Sequence, residues 1–194
     1  MWAGVMDAND QDIPEFFTAK PKRRGLRLGR KKSNVIVRNA GHIMPFPVNV
    51  AFEKFSDFSR HSEWNPSISS ATYIDDSRTK VRWTRETMGF TIGWSTITTV
   101  KDPNKALAWK SIEGIKLENR VIFQSVDEGK GTLMIMSTNY KVPEKVFVPS
   151  RKVVGKSKTR AYNNTYESDQ MKEILVRFGE IVAKELKHDE MYFL

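Results

Sequence analysis

The chain has 194 residues, of which 39% are hydrophobic, 28% charged and 11% aromatic. This composition is typical of globular proteins rather than disordered or fibrous ones, and it predicts one domain with appendages. The absence of cysteine excludes disulfides, thiolate zinc sites, iron–sulfur clusters and cysteine nucleophiles, and no apolar run approaches the roughly 18 residues of a membrane span.

The net charge of +9 is concentrated in two segments. Residues 20–32 (KPKRRGLRLGRKK) contain eight basic side chains and no acid, and residues 141–160 contain seven basic side chains and one acid. We therefore predict an extended basic arm over residues 1–33 and a domain over residues 34–194 with a basic insertion at about 144–166. Runs of like charge are typical of solvated tails or of segments that dock on anionic partners.

We expect docking by nine of these basic residues: Lys22, Arg23, Arg24, Arg27, Arg30, Lys31, Lys32, Arg151 and Lys152. The first 17 residues are acidic and have no pattern of a targeting peptide. Either the protein needs no targeting peptide or the peptide has been removed.

Strand-like sequence begins at Val35 and extends to about Ile43, after which Pro45 and Pro47 interrupt it. Apolar residues at helical spacing then predict one short helix that starts near Pro47, followed by a turn around Asn65–Pro66. Six more strands are predicted near 68–75, 79–87, 90–101, 105–112, 118–127 and 131–141. The connections are too short for parallel crossovers, so the sheet is predicted to be antiparallel.

The strongest periodic signal predicts an amphipathic C-terminal helix over about 168–187, with Ser168 at its N-terminal end. Its apolar face consists of Met171, Ile174, Leu175, Phe178, Ile181, Val182 and Leu186. Only the sheet is long enough to cover such a face. The fold class is therefore α+β, a curved antiparallel sheet wrapped around a long C-terminal helix, and the space between them is a natural ligand cavity.

Three segments resemble a known family. The segment PFPVNVAFEKFSDFSRHSEWNPSI, with Asp57 and Trp64–Asn65–Pro66, is similar to the opening of the START-like polyketide cyclase and coenzyme-Q-binding domains of the SRPBCC superfamily. GFTIGWSTITTVKDPNKALAWKSIEG resembles the central hairpin of that family, and NRVIFQSVDEGKGTLMIMSTNYKVP resembles its last hairpin. The resemblance covers roughly residues 34–143 and the final helix.

This resemblance implies a helix-grip fold with an apolar cavity, which the superfamily uses for lipids, quinones, pigments, polyketides and plant hormones. It does not imply one reaction. The arm at 1–33 and the link at about 144–166 are departures from the compact pattern of the family.

Catalytic motifs are absent from the sequence. Its three histidines, His42, His61 and His188, have no metal-ligand spacing, and each is interpreted as a surface or cap residue. Glu86 and Glu118 are the best carboxylates for acid–base chemistry, but we expect them to face water or to pair with Arg82, Arg85 or Arg120. No phosphate-binding loop or nucleophile elbow is present. We predict a protein that is not an enzyme and that has no metal or cofactor besides a bound lipid, quinone or pigment.

Aromatic residues on neighbouring strands favour a ligand pocket or, equally, ordinary core packing. The residues predicted to line the pocket are Trp83, Trp94, Trp109, Phe123, Ile174 and Phe178. In Thr132–Met136 both strand faces are apolar, which predicts that the arm or a partner covers the second face and that Met134 and Met136 could form that contact.

Two functions follow, and the sequence leaves both open. The first is a non-catalytic module that binds an apolar ligand at an anionic membrane surface or on a membrane protein complex. The second is an accessory subunit of a large photosynthetic or respiratory complex, docked through the arm and the basic link. Both place the protein in an organelle, peripheral to a membrane on the plastid stroma side or the mitochondrial matrix side, with the cytoplasm as the alternative. Association with RNA or the ribosome rests on the arm alone.

Overall fold

The computed structural model describes the backbone of residues 35–87, 90–141 and 156–192, and the side chains of residues 37–86, 90–140 and 169–189. These residues belong to one structural unit, Asn34–Leu194. The predicted arm at 1–33 and much of the basic insertion lie outside the described residues.

Seven strands and three α-helices make up the described part of the chain. In chain order they are β1 (Val35–Met44), α1 (Val48–Ser56), α2 (His61–Trp64), β2 (Ser70–Tyr73), β3 (Lys80–Thr87), β4 (Phe90–Asp102), β5 (Ala106–Glu113), β6 (Leu117–Val126), β7 (Gly131–Lys141) and α3 (Lys156–Tyr192). Turns of 3₁₀-helix occupy Phe58–Arg60 and Asp127–Gly129.

The strands form one antiparallel sheet in the order β1-β7-β6-β5-β4-β3-β2. The strands after β1 follow one another through short turns, so each pairs with its sequence neighbour, and β1 is added beside β7. The helices α1, α2 and α3 pack on one face of this sheet, which is the concave face of a helix grip. The predicted fold class is confirmed.

The short helix α1 forms where the apolar spacing predicts it. The Pro47 carbonyl oxygen accepts the first helical hydrogen bond from the Ala51 amide at 3.1 Å, and Phe52 and Phe55 are buried against the sheet. The Asp57 carboxylate then accepts hydrogen bonds from the amide and hydroxyl of Ser59, which begins the 3₁₀ turn. The segment predicted as a simple turn before Asn65 contains an additional helical turn, α2.

The helix α3 begins earlier than predicted. Most of its apolar face is buried as expected, with Ile181 and Leu186 partly buried. The helix starts at Lys156, so Ser168 lies inside it rather than at its N-terminal end. Residues 156–166, predicted as part of an irregular basic link, are helical. These residues form no apolar stripe, so periodicity does not detect this part of the helix. Gly179 lets α3 approach β1, because a Cβ atom there would lie 3.0 Å from Met44 Sδ.

Strand β7 has apolar residues on both faces, as predicted, but Met134 and Met136 belong to the core. They lie opposite Phe123 and Val121 of β6, and both methionines are buried in the main hydrophobic cluster. The proposed contact through these two methionines is therefore wrong. On the other face of β7, Leu133 and Ile135 are half-buried and Ser137 is buried.

Candidate functional site

Aromatic side chains fill the centre of the concave face. Phe58, in the 3₁₀ turn, packs against Trp83 and Trp109 with ring centroids 5.6 and 5.1 Å apart. Phe55 of α1 meets Phe178 of α3 edge to face at 5.0 Å. The segment from α1 to α2 therefore occupies the middle of the grip with ring contacts of ordinary core packing.

The six residues predicted to line a pocket are all buried: Trp83, Trp94, Trp109, Phe123, Ile174 and Phe178. Among them, Phe123 contacts Phe52 at 5.3 Å, and Phe178 contacts Trp64 at 5.0 Å, so these two lie in the filled centre. Trp83 and Trp94 stack on neighbouring strands at 6.4 Å with an interplanar angle of 10°. The Trp83 indole donates a hydrogen bond to Thr96 Oγ1 at 2.7 Å.

His61 lies within this aromatic cluster rather than at the surface, which corrects its interpretation as a surface or cap residue. Its Nε2 lies 2.8 Å from the Phe55 carbonyl oxygen and donates to it. Burial lowers the pKa of His61 to about 4, because the ring has no water to stabilise its charged form. The imidazole is therefore neutral near pH 7 and serves as a hydrogen-bonded core residue.

A row of polar residues crosses the concave face beside the filled centre. Arg38 of β1 lies opposite Thr138 of β7, Thr138 lies opposite Asn119 of β6, and Asn119 lies opposite Trp109 of β5. The Thr138 hydroxyl donates to Asn119 Oδ1 at 2.6 Å. Asn119 is only 7% exposed, and this hydrogen bond uses its oxygen and not its amide nitrogen. We call Arg38, Thr138 and Asn119 the polar row.

Sequence reasoning missed the polar row. Alternation along β6 does place Asn119 on the same face as Val121 and Phe123, so this one residue could have been found from the sequence. Its neighbours Thr138 and Arg38 come from other strands, and only the pairing register brings them next to it. Single-strand patterns do not contain that information.

Beyond the polar row, the concave face becomes progressively less covered along β4. Trp94 is 8% exposed, Ile92 is 39% exposed and Phe90 is 73% exposed, although all three share one face of the strand. An apolar surface thus continues from the core past the polar row to an open end of the sheet. This arrangement could hold an apolar molecule that has one polar group.

The two carboxylates considered for catalysis, Glu86 and Glu118, are exposed on the sheet. Arg82, one of their expected partners, instead donates to Glu113 at 2.9 Å. In the described ranges, no group of three or more His, Asp or Glu side chains could hold a metal ion. None of the helices described is both long and apolar enough to cross a membrane.

A polar cleft of about 340 Å³ lies beside the C-terminal half of α1. Its lining residues are Glu53, Lys54, Ser56, Asp57, Arg60, Tyr73, Arg78 and Lys101. Burial alone would raise the pKa of Asp57, but hydrogen bonds from Ser59 and the charge of Arg78 lower it on balance. Beside the cleft, Glu185 of α3 accepts hydrogen bonds from Lys54, at 3.1 Å, and from Arg60. These ion pairs fasten α3 to the segment α1–α2.

The predicted docking residues cannot be placed. All nine lie outside the described residues: Lys22, Arg23, Arg24, Arg27, Arg30, Lys31, Lys32, Arg151 and Lys152. Their docking role stays a prediction.

Comparison with known proteins identifies the family. The sequence pattern of the family "Polyketide cyclase / dehydrase and lipid transport" matches residues 44–164. The chain belongs to this family, within the START-like SRPBCC superfamily, as the sequence resemblance predicted. Membership supports a ligand-binding module in general. No functionally curated protein matches the chain significantly.

Solved structures share the fold at low sequence identity. A START superfamily protein from Mycobacterium smegmatis is 17% identical with a TM-score of 0.56, over 77% of this chain and 97% of that one. The Zhui aromatase/cyclase from Streptomyces sp. R1128 is 10% identical with a TM-score of 0.61, over 78% and 96%. The di-domain aromatase/cyclase StfQ of the steffimycin pathway is 10% identical with a TM-score of 0.63, over 79% and 52%. Since two of these neighbours are enzymes, the expectation that this chain is not an enzyme stays a prediction.

Proposed function

We propose that this protein binds an apolar small molecule that carries a hydrogen-bond-accepting group, such as a quinone or another lipid with a carbonyl oxygen. The ligand lies on the concave face of the sheet, with its apolar part along β4 and its acceptor at the polar row. Family membership supports ligand binding in general; the class of ligand is inferred from the residues of this face.

The observation that carries the proposal is the side-chain amide of Asn119. Its oxygen accepts a hydrogen bond from Thr138, while its nitrogen remains a donor on the concave face, in a residue that is only 7% exposed. A ligand acceptor at this point would gain a hydrogen bond with this donor, which is worth about 0.5–1.5 kcal/mol. A purely apolar ligand would gain no such hydrogen bond.

The apolar part of the ligand is accounted for by Trp94, Ile92 and Phe90. These side chains share one face of β4, and their exposure increases toward the end of the strand. Covering about 100 Å² of such surface would contribute about 2–3 kcal/mol. Together the polar row and this apolar surface of β4 favour a molecule with a chain or ring system on one side of its polar group.

The test compares a decyl-substituted benzoquinone with decylbenzene, which has no carbonyl groups. Binding is measured by calorimetry and by quenching of the tryptophans, one of which, Trp109, lies opposite Asn119. We expect saturable binding of the quinone and roughly tenfold weaker quinone binding by Asn119→Leu, since about one hydrogen bond is lost. Binding of decylbenzene should be unchanged in this variant.

Asn39→Leu is the matched control, because Asn39 is an exposed asparagine of β1 paired with Ser137 on the opposite face of the sheet. Thr138→Val is a second variant in case Asn119→Leu does not fold, as judged by near-ultraviolet circular dichroism. Equal quinone affinity in the wild type and both folded polar-row variants would contradict the proposal, as would the absence of saturable binding.

We further propose that the basic residues of the arm and link dock the protein on an anionic organellar membrane or membrane complex. The support is the eight basic side chains in residues 20–32, since each cation near an anionic surface contributes about 1 kcal/mol. Replacing Arg23, Arg24 and Arg27 by Glu should weaken sedimentation with anionic vesicles, and high salt should do the same to the wild type. An accessory subunit would instead co-purify with a protein complex from its source and would bind vesicles weakly.

A further inference from the structure

Four large apolar side chains are exposed at one end of the sheet. Phe90 and Ile92 begin β4, Ile112 lies near the end of β5, and Ile115 lies in the turn to β6; their exposed fractions are 73%, 39%, 51% and 39%. We call these four residues the apolar rim. Scattered exposed apolar residues are ordinary on a protein surface, whereas a group of them marks a contact site.

The two parts of the apolar rim adjoin each other. Gly114, between Ile112 and Ile115, packs directly on β4, since a Cβ atom there would lie 2.8 Å from the Gly93 carbonyl oxygen and 2.9 Å from Trp94 Cβ. The turn therefore sits beside the residues that follow Ile92. The only residue that satisfies this spacing at a φ of +76° without strain is glycine.

The turn that carries Ile115 is also held in place. The Ser111 hydroxyl donates to the Ile115 carbonyl oxygen and accepts a hydrogen bond from the Leu117 amide at 3.1 Å. Ile112 is the extra residue where the pairing of β5 with β4 shifts between Thr96 and Ser95. The apolar rim is thus presented by an ordered framework rather than by a loose loop.

Among the described side chains, the charges at this end of the sheet nearly balance. The cations are Arg82, Arg85, Lys110 and Lys116, and the carboxylates are Glu86, Glu113 and Glu118. Of these, Arg82 and Glu113 already form an ion pair at 2.9 Å. These side chains therefore offer little to a partner attracted mainly by charge, so their contribution to binding would have to come from burial of the apolar rim.

We propose that the apolar rim inserts into the interfacial layer of a lipid bilayer and that the ligand exchanges with the membrane there. This inference rests on the proposed function, because Phe90 and Ile92 belong both to the rim and to the open end of the ligand face. An apolar ligand is held in membranes rather than in water, so the open end of its binding face must meet a bilayer for exchange.

The arrangement of the rim favours a bilayer over a flat protein surface. Phe90 and Ile92 project from the concave face, whereas Ile112 and Ile115 lie at the adjoining turn, so the apolar residues surround a sheet end instead of covering one face. A fluid layer can surround such an end. A second copy of the chain or another protein would need a matching recess, so these occupants become outcomes of the test.

The test uses the full chain and phosphatidylcholine vesicles, which have no net charge, at about 1 M salt. Under these conditions charge interactions are screened beyond about 3 Å, so the basic arm contributes little. We expect the wild type to sediment with the vesicles and the double variant Ile112→Asp/Ile115→Asp to partition at least about tenfold more weakly, because two apolar side chains can no longer be buried. The matched control is Ile74→Asp, since Ile74 is 53% exposed at the opposite end of the sheet.

Three results would overturn the proposal: no sedimentation of the wild type, equal loss in Ile74→Asp, or unchanged partitioning of the folded double variant. Light scattering adds one more outcome. If the wild type is a dimer and the double variant a monomer with unchanged vesicle binding, the rim is an interface between copies.

Failure of this inference and failure of the proposed function can be told apart. Ile112 and Ile115 lie outside the ligand face, so the double variant should bind the decyl-benzoquinone in detergent-free solution like the wild type. Lost partitioning with unchanged quinone binding supports both proposals. A chain that partitions through the rim but binds no quinone retains the membrane contact and contradicts only the proposed function.

Discussion

The ring of Phe178 meets the ring of Phe55 edge to face at 5.0 Å, and this contact joins α3 to α1 at the centre of the grip. Both side chains are almost completely buried. Phe178→Ala should therefore lower the free energy of unfolding by about 3–5 kcal/mol, through lost burial and the cavity left behind. Denaturant unfolding measures this change. The control Arg177→Ala, at the neighbouring exposed position, should lower the free energy of unfolding by less than about 0.5 kcal/mol. A loss below about 1 kcal/mol for Phe178→Ala would mean that α3 packs elsewhere.

The turn at Gly114 predicts a second difference in stability. Gly114→Ala forces a left-handed residue and a clash with the Gly93 carbonyl, while Gly129→Ala, at a φ of +91°, meets only Ser125 Oγ at 4.0 Å. We expect about 1–2 kcal/mol of destabilisation for Gly129→Ala from the backbone alone and a larger loss for Gly114→Ala. Thermal unfolding of both variants shows which one loses more stability. Equal losses of stability would show that the turn at Gly114 can move away from β4.

Buried His61 predicts how stability changes with pH. Its pKa is about 4 in the folded chain and about 6.5 when unfolded. Between these values the unfolded state binds more protons, so stability falls by about 3 kcal/mol as the pH falls from 6.5 to 4. Burial also lowers the pKa of His42, which adds to the same trend.

The experiment compares the pH dependence of wild-type unfolding with that of His61→Phe. The substitution removes the titrating group, so the slope between pH 6.5 and 4 should become shallower by most of this amount. Ser62→Ala, at an exposed position of α2, removes no titrating group and should keep the wild-type slope. An unchanged slope in His61→Phe would show that the imidazole is accessible to water in the folded protein.

The ion pairs of Glu185 predict a smaller, salt-dependent effect. Hydrogen bonds from Arg60, opposed by burial and assisted by Lys54, lower the pKa of Glu185 on balance. Glu185→Gln should cost about 1 kcal/mol at low salt and less at high salt, since the pairs are partly exposed. The control Glu173→Gln removes an exposed ion pair with Arg177 within α3 and should lower the stability less. If the loss of stability in Glu185→Gln does not depend on salt, the effect of Glu185 is due to packing.

Sequence patterns predicted the sheet well because its information is local. The strands from β2 to β7 are separated by short turns, and the buried face of α3 is set by helical spacing, so the element order and fold class could be obtained. The start of α3 was missed because residues 156–166 have no apolar period. The burial of His61 was missed because α2 is a single turn whose sequence also fits a loop.

The candidate site depends on information that is not local. Trp83, Trp94 and Trp109 could be chosen as aromatic residues on neighbouring strands. The contacts of Trp83 and Trp109 with Phe58, however, depend on how the segment α1–α2 folds into the grip. Asn119 becomes a candidate anchor only because Thr138 lies opposite it and takes one end of its amide. The pairing register of β1, β7 and β6 therefore decides which side chains form the polar row.

The place of β1 in the sheet has a consequence for how the protein assembles during synthesis. β1 is the first of the seven strands to be made, but its partner β7 is the last, so β1 stays unpaired until the other strands have been translated. Closing such a distant contact costs loop entropy and is expected to be late. Arg38 lies opposite Thr138 only once this pair has formed, so the polar row is completed after β7 has been translated, and a nascent chain stalled before β7 would expose an unfinished edge to chaperones.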